Sequence, residues 1–243
     1  ETFQLDLEAF DVALNPKTKI VIINTPNNPT GVIYSQESLD QIGGLIRKKE
    51  QEFGHPIILV ADDIYRRLVF DGMKSGDVLL SHPHSIRVHS HSKDLGLPGE
   101  RIGFIAIHPG IPERETVRQA LVLSNRILGF VNAPALMQRI LPFMEGASVD
   151  VSVYQNLRDR FYEMLTGLGF DVVLPRGAFY LFPKSKKFGK YHLNYLDKNK
   201  IHEIDVISGA FFMMRKKIID EIGLLDEAFL CMVKTLIYHI EYK

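Results

Sequence analysis

The chain has 243 residues, 29 Lys+Arg balanced by 29 Asp+Glu, one cysteine and no tryptophan. A net charge of zero gives no electrostatic reason to bind nucleic acid or an anionic membrane, and Cys231 alone makes neither an internal disulfide nor a Cys-x-x-Cys metal cluster. The longest apolar runs, Ile57–Ala61 and Ile207–Met214, fall far short of the ~20 residues needed to cross a bilayer.

The opening ETFQLDLEAF has no charged segment followed by an apolar one, so no signal peptide is expected. With a single cysteine, a reducing, cytoplasmic setting is the expectation. The missing initiator Met suggests a fragment. Lys19–Asn24 (KIVIIN) is rich in β-branched residues and runs into the turn-prone TPNNPTG, which predicts a buried strand. Ser35 then offers a helix cap, and Leu39, Ile42 and Leu45/Ile46 recur at helical spacing behind it. Further strands are expected at Ile57–Ala61, Ser85–Ser90 and Ile102–His108. Helices are expected from Pro112 to about Ile127, Ala133 to Phe143 and Val153 to about Leu168, then short strands at Asp171–Leu174 and Ala178–Phe182. Strand–helix alternation of this kind predicts an α/β domain with a largely parallel sheet. From Lys184 the sequence becomes basic and polar before a new apolar run at Ile204.

Four polar elements follow the predicted strands, at the ends where open α/β sheets bind ligands. They are Asn24-Thr-Pro-Asn-Asn-Pro-Thr-Gly31, Asp62-Asp-Ile-Tyr65, Ser90-His-Ser-Lys93 and Gly99-Glu-Arg-Ile-Gly103. Alone, the first is a turn and the second a helix cap. Together and in this order they make residues 1 to about 183 resemble the class I/II aminotransferases of the aspartate aminotransferase type. Pro175-Arg-Gly-Ala-Phe-Tyr180 adds to that resemblance.

The resemblance implies a pyridoxal 5'-phosphate enzyme that moves an amino group between an amino acid and a 2-oxo acid, a homodimer when intact. Residues 1–145 would belong to its cofactor-binding large domain and 146–183 to the start of an α+β small domain. Lys93 matches the lysine that forms the internal Schiff base, the role of a primary amine on a flexible stem; once freed it can move a substrate proton. Asp62 matches the anion that holds a proton on the pyridine nitrogen. Asn28 and Tyr65 match the donors to the phenolic oxygen, and Ser90 and Arg101 match phosphate ligands, the planar fork of Arg101 suiting a dianion.

Other readings are weaker. His82, His84, His89 and His91 crowd around the lysine, but no carboxylate or cysteine accompanies them at a metal spacing, so no metal is expected and the rings are read as solvated or supporting. Asp63 and Asp94 are read as surface or capping carboxylates. Gly43-Gly44 is expected inside a helix, and Met213 and Met214 in a core.

Two parts of the family pattern are missing. No glycine-containing phosphate loop, stacking aromatic or carboxylate-clamping arginine is found, so the chain is expected to be inactive or nearly so as it stands. Residues 188–230 instead resemble the GT-A glycosyltransferases of the rhamnosyltransferase type. That likeness rests on Glu203-Ile-Asp-Val-Ile-Ser-Gly-Ala-Phe-Phe-Met-Met-Arg215 and Ile222-Gly-Leu-Leu-Asp-Glu-Ala-Phe229. Residues 184–243 are therefore expected to be a glycosyltransferase-like tail, joined by gene fusion and ending in a frameshift. The alternatives are a glycosyltransferase fragment using a nucleotide-sugar, a β-lyase on the same scaffold, or a non-catalytic binding fragment.

Overall fold

A computed structural model describes residues 2–184. The elements in order are α1 (Leu7–Ala13), β1 (Ile20–Asn24), α2 (Gln36–Phe53), β2 (Ile58–Asp62), α3 (Val78–Ser81), β3 (Ser85–Ser90) and α4 (His91–Asp94). They continue with β4 (Gly103–Ile107), α5 (Arg114–Ile127), α6 (Ala135–Ile140), α7 (Val151–Gly167), β5 (Asp171–Val172) and β6 (Pro183–Lys184). Four strands form one sheet in the order β1-β2-β3-β4. The first three are parallel and β4 runs antiparallel to β3, giving the predicted α/β architecture with a mostly parallel sheet. No helix among the described residues is long and apolar enough to cross a membrane.

The core follows from the apolar spacing of α2. Ser35 accepts the Ser38 amide and starts the helix, and Gly54, in the left-handed region at φ 71°, stops it. Leu39, Ile42 and Ile46 fall on one face and are buried against Ile57, Leu59 and Ala61 of the β2 region. Each contributes roughly 1.5–3 kcal/mol by leaving water. Gly43 lets α2 approach α3, because a Cβ there would collide with the Ser81 carbonyl.

Several boundaries depart from expectation. The helix predicted from Ala133 to Phe143 is shorter, passing after Ile140 into a 3-10 turn over Leu141–Met144 that contains Pro142. The strand predicted over Ala178–Phe182 does not form. Gly177 makes a single bridge to Val69, and Ala178 turns into the left-handed region at φ 57°. Phe179 and Tyr180 then turn onto Tyr65 instead of alternating along a strand. The short α1, α3 and α4 carry too few residues to show a helical period. The glycosyltransferase-like segment, with Met213 and Met214, lies outside the described residues.

Candidate functional site

The polar elements meet at the carboxyl ends of the parallel strands because the sheet register aligns them. Asn24 is level with Asp62, Asp62 with Val88, and Ser90 with Gly103. Asn24 ties two of the elements together: its Nδ2 donates to the Asp62 carbonyl at 3.0 Å, and its Oδ1 accepts the Asn28 amide at 2.6 Å. The Asn28 loop also rests on the segment after β5. The Gly31 carbonyl accepts the Arg176 and Gly177 amides at 2.8 and 3.0 Å. Gly31 has φ 68°, and a Cβ there would collide with Pro175.

Asp62 ends β2 half-buried, and desolvation alone pushes its carboxyl above the ordinary value. Tyr65 is buried, 1% exposed, and its hydroxyl meets that of Tyr180 at 2.6 Å. Burial first, then Tyr180 and the charge of Asp62, raise the Tyr65 hydroxyl so that it keeps its proton. Lys93 sits in the single-turn α4, which Ser90 caps by accepting the Ser92 amide. The Ser90 and Ser92 hydroxyls are 2.8 Å apart. Lys93 Nζ lies 5.0 Å from the centre of the Phe179 ring, which packs edge-on against Tyr65 at 5.4 Å.

Of the six predicted site residues, the structure brings Tyr65 and Lys93 together around Phe179, with Asp62 close enough for its charge to bear on Tyr65 and Ser90 at the head of the lysine turn. Asn28 and Arg101 are exposed. Arg101 turns its guanidinium to the Pro98 carbonyl at 3.1 Å and lines a cleft of about 580 Å³ beside β4.

Three expectations need correction. Asp63 and Asp94 are not surface carboxylates: they are 4% and 1% exposed. Asp63 pairs with Arg87 Nε at 2.8 Å and Arg66 Nη1 at 3.4 Å. Asp94 is met by His89 Nε2 at 3.1 Å and His91 Nδ1 at 3.2 Å, while its carbonyl accepts the Val149 amide at 2.8 Å. The histidines are therefore not solvated as a group, since His82 and His89 are buried. Carboxylates also accompany both pairs, Asp94 beside His89 and His91, and Glu50 beside His82 and His84. Glu50 lies 34 positions from His84, a separation no local spacing rule reveals. Tyr180, Phe179 and Asp94 were the functional neighbours that sequence reasoning left without a role. For Asp94 a signal existed: histidines two apart on a strand share a face, and the adjoining turn returns a carboxylate to it.

Comparison with known proteins adds the following. Residues 1–202 match the family model described as "Aminotransferase class I and II". An asparagine–oxo-acid transaminase of Streptococcus mutans is 31% identical over 190 residues, covering 76% of this chain and 46% of that protein. An aspartate/prephenate aminotransferase of Thermus thermophilus is 30% identical, covering 74% and 46%. Among solved structures, an amino transferase from Eubacterium rectale superposes with a TM-score of 0.73 at 39% identity, over 76% of this chain and 46% of that one. The chain spans about half the length of the curated relatives it matches.

Proposed function

The chain belongs to the class I and II aminotransferase family, whose members use pyridoxal 5'-phosphate, and from that premise we propose that it carries the cofactor-holding part of an enzyme exchanging an amino group between an amino acid and a 2-oxo acid. The observation that supports this most is the meeting of a half-buried lysine and a buried phenol on one ring, with the Asp62 carboxylate bearing on that phenol.

The donor set fits the cofactor. Desolvation raises the Asp62 carboxyl, and the structure records no cation or donor against it among the described residues; a protonated pyridine nitrogen would supply one. Tyr65 can accept from Tyr180 and keep its own proton to give to a phenolic oxygen. The Ser90 and Ser92 hydroxyls, beside the start of α4, suit a phosphate. Asn28 and Arg101 would have to turn inward from their exposed positions to join them. When bound, the cofactor supplies an electron sink for charge developing at the substrate Cα. Lys93 then holds or moves the proton at that atom, with Phe179 beside its amine. In this reading residues 1–145 hold the cofactor and 146–183 begin a second domain. A homodimer, a cytoplasmic setting and the absence of a nucleic-acid partner belong to the same proposal; the zero net charge supports the last.

The test is direct. Incubation with pyridoxal 5'-phosphate, borohydride reduction and peptide mass mapping should place one adduct on Lys93. An adduct spread over surface lysines, or one unchanged in Lys93→Ala, overturns the assignment.

A further inference from the structure

We propose that Glu50, His82 and His84 form a binding site for a transition-metal dication of the zinc class, separate from the Lys93 turn. His84 immediately precedes β3 and Ser90 ends it, so at ~3.3 Å per residue the two lie roughly 20 Å apart. The site therefore belongs to the opposite end of the sheet.

The three side chains come from two elements and converge. His82 has extended backbone at φ −149°, ψ 130°, so it and His84 project to one side. Glu50 reaches them from the last turns of α2, its Oε1 oriented by the Ile57 amide at 2.7 Å. One donor atom from each residue lies within 4.8 Å of the others. Glu50 Oε1 is 3.5 Å from His82 Nε2, close to the ~3.3 Å edge of a tetrahedron built on bonds of about 2.0–2.1 Å. The Glu50–His84 Nδ1 separation is 2.6 Å, a hydrogen bond. It must open by ~0.7 Å to reach the same edge, within reach of two side chains that are 11% and 22% exposed.

The exchange requires both rings to change tautomer. His82 Nε2 now meets the Ile57 carbonyl at 3.2 Å, while its Nδ1 is buried without a partner. Moving the ring proton to Nδ1 breaks no bond there and frees the Nε2 lone pair. The Ile57 contact is given up for the metal. His84 Nδ1 donates to the Glu50 carboxylate in this state, so its proton must pass to the outer nitrogen before Nδ1 can ligate a metal. Arg47, the cation bearing on His82, is held by the Ser81 carbonyl at 2.8 Å.

Two imidazoles and one carboxylate select borderline ions such as Zn²⁺ or Co²⁺ over Mg²⁺ and Ca²⁺, which take oxygen ligands. The partly exposed His84 gives the ion an entry and leaves a fourth position for water. The His89, His91 and Asp94 trio is the more closed of the two, its most open side chain, His91, being 16% exposed against 22% for His84. A metal at Glu50, His82 and His84 would clip α2 to the start of β3, and because the site exists only when folded, binding would stabilise the fold.

The full chain, stripped with a chelator, is dialysed against Zn²⁺ and separately against Co²⁺. The expected result is one equivalent bound, a visible Co²⁺ spectrum of tetrahedral type, and a zinc-dependent rise in melting temperature. Glu50→Gln and His84→Ala should each weaken binding at least tenfold and remove the thermal shift, while His91→Ala retains both. His84 is chosen because its partly exposed ring can be lost without opening the core, and circular dichroism checks the fold of each variant. No stoichiometric binding, binding that survives both Glu50→Gln and His84→Ala, or loss confined to His91→Ala overturns the proposal.

Discussion

Lys93 Nζ lies 5.0 Å from the centre of the Phe179 ring, although 86 positions (179 − 93) separate them in the chain. The lysine on the turn after β3 thus leans on the segment after β5, and the same ring packs on Tyr65 at 5.4 Å and Tyr154 at 5.9 Å.

Phe179→Leu should keep the apolar volume and lose the ring face. A cation over a ring is favoured by roughly 0.5–2 kcal/mol and the amine that attacks an aldehyde is the neutral form, so the expected effect is a several-fold rise in the rate of Lys93 modification by pyridoxal 5'-phosphate, with stability reduced by less than about 1.5 kcal/mol. Borohydride trapping with time and a urea melt measure the two effects. Equal rates in the two proteins would remove Phe179 from the site.

Asp62→Asn should separate stability from cofactor retention. Burial raises the Asp62 carboxyl, so its charged form is disfavoured by folding. That penalty is present above the folded-state value and disappears as pH falls through it toward the unfolded value. The cofactor-free variant should therefore melt no lower than the parent at pH 7, while pyridoxal 5'-phosphate affinity falls at least tenfold. Differential scanning calorimetry and equilibrium dialysis are the checks, and a clear drop in melting temperature would contradict the argument.

Asp71 works in the other direction. Arg158 Nη1 and Nη2 and Arg176 Nη1 each reach its carboxylate at 2.8 Å, and they hold Asp71 well below the usual carboxylate range, the Arg158 hydrogen bonds most of all. The folded value is depressed, so the stabilisation is full above the unfolded value of about 3.9 and is lost as pH falls below it toward the folded value. Asp71→Asn should cost about 1–3 kcal/mol at pH 7 by leaving the buried Arg158 under-satisfied. It should also flatten the acid limb of the stability profile below about pH 4. Urea melts at several pH values measure both.

The adjacent glycines of α2 should respond in opposite ways. A Cβ at Gly43 would meet the backbone carbonyl of Ser81, which cannot give way as a flexible side chain can. Gly43→Ala should therefore destabilise by about 1–3 kcal/mol. At Gly44 the nearest atom is Arg47 Nη2 at 3.9 Å, so Gly44→Ala should stabilise the helix by about 0.5–1 kcal/mol. Thermal melts of the two variants decide the matter.

The strands were legible because KIVIIN and IILVA are short β-branched or apolar runs with turn residues at their ends. Helix α2 was legible through the Ser35 cap and the Leu39, Ile42, Ile46 face, and both survive in the structure. Site residues matched by motif landed near one another wherever the sheet register places them, as for Asp62 and Ser90. What local reading missed depends on distant partners. Ala178–Phe182 has the apolar and aromatic content of a strand, yet its backbone is claimed by the Leu68 carbonyl and its rings by Tyr65. Asp94 looks like a surface carboxylate until β3 brings His89 beneath it. Glu50 carries no sign in the sequence of meeting His82 and His84.

The Gly31 carbonyl, closed by amides 145 and 146 positions later (176 − 31 and 177 − 31), also sets an order of events in time. At ~5–20 residues per second, ribosomal synthesis leaves roughly 7–30 s between the two sides of that contact. The three parallel strands can pair before it is made, but the Asn28 loop cannot take its final seat. A nascent chain can thus hold paired strands while the Asn28 loop, and the cofactor cleft proposed around it, is still unfinished.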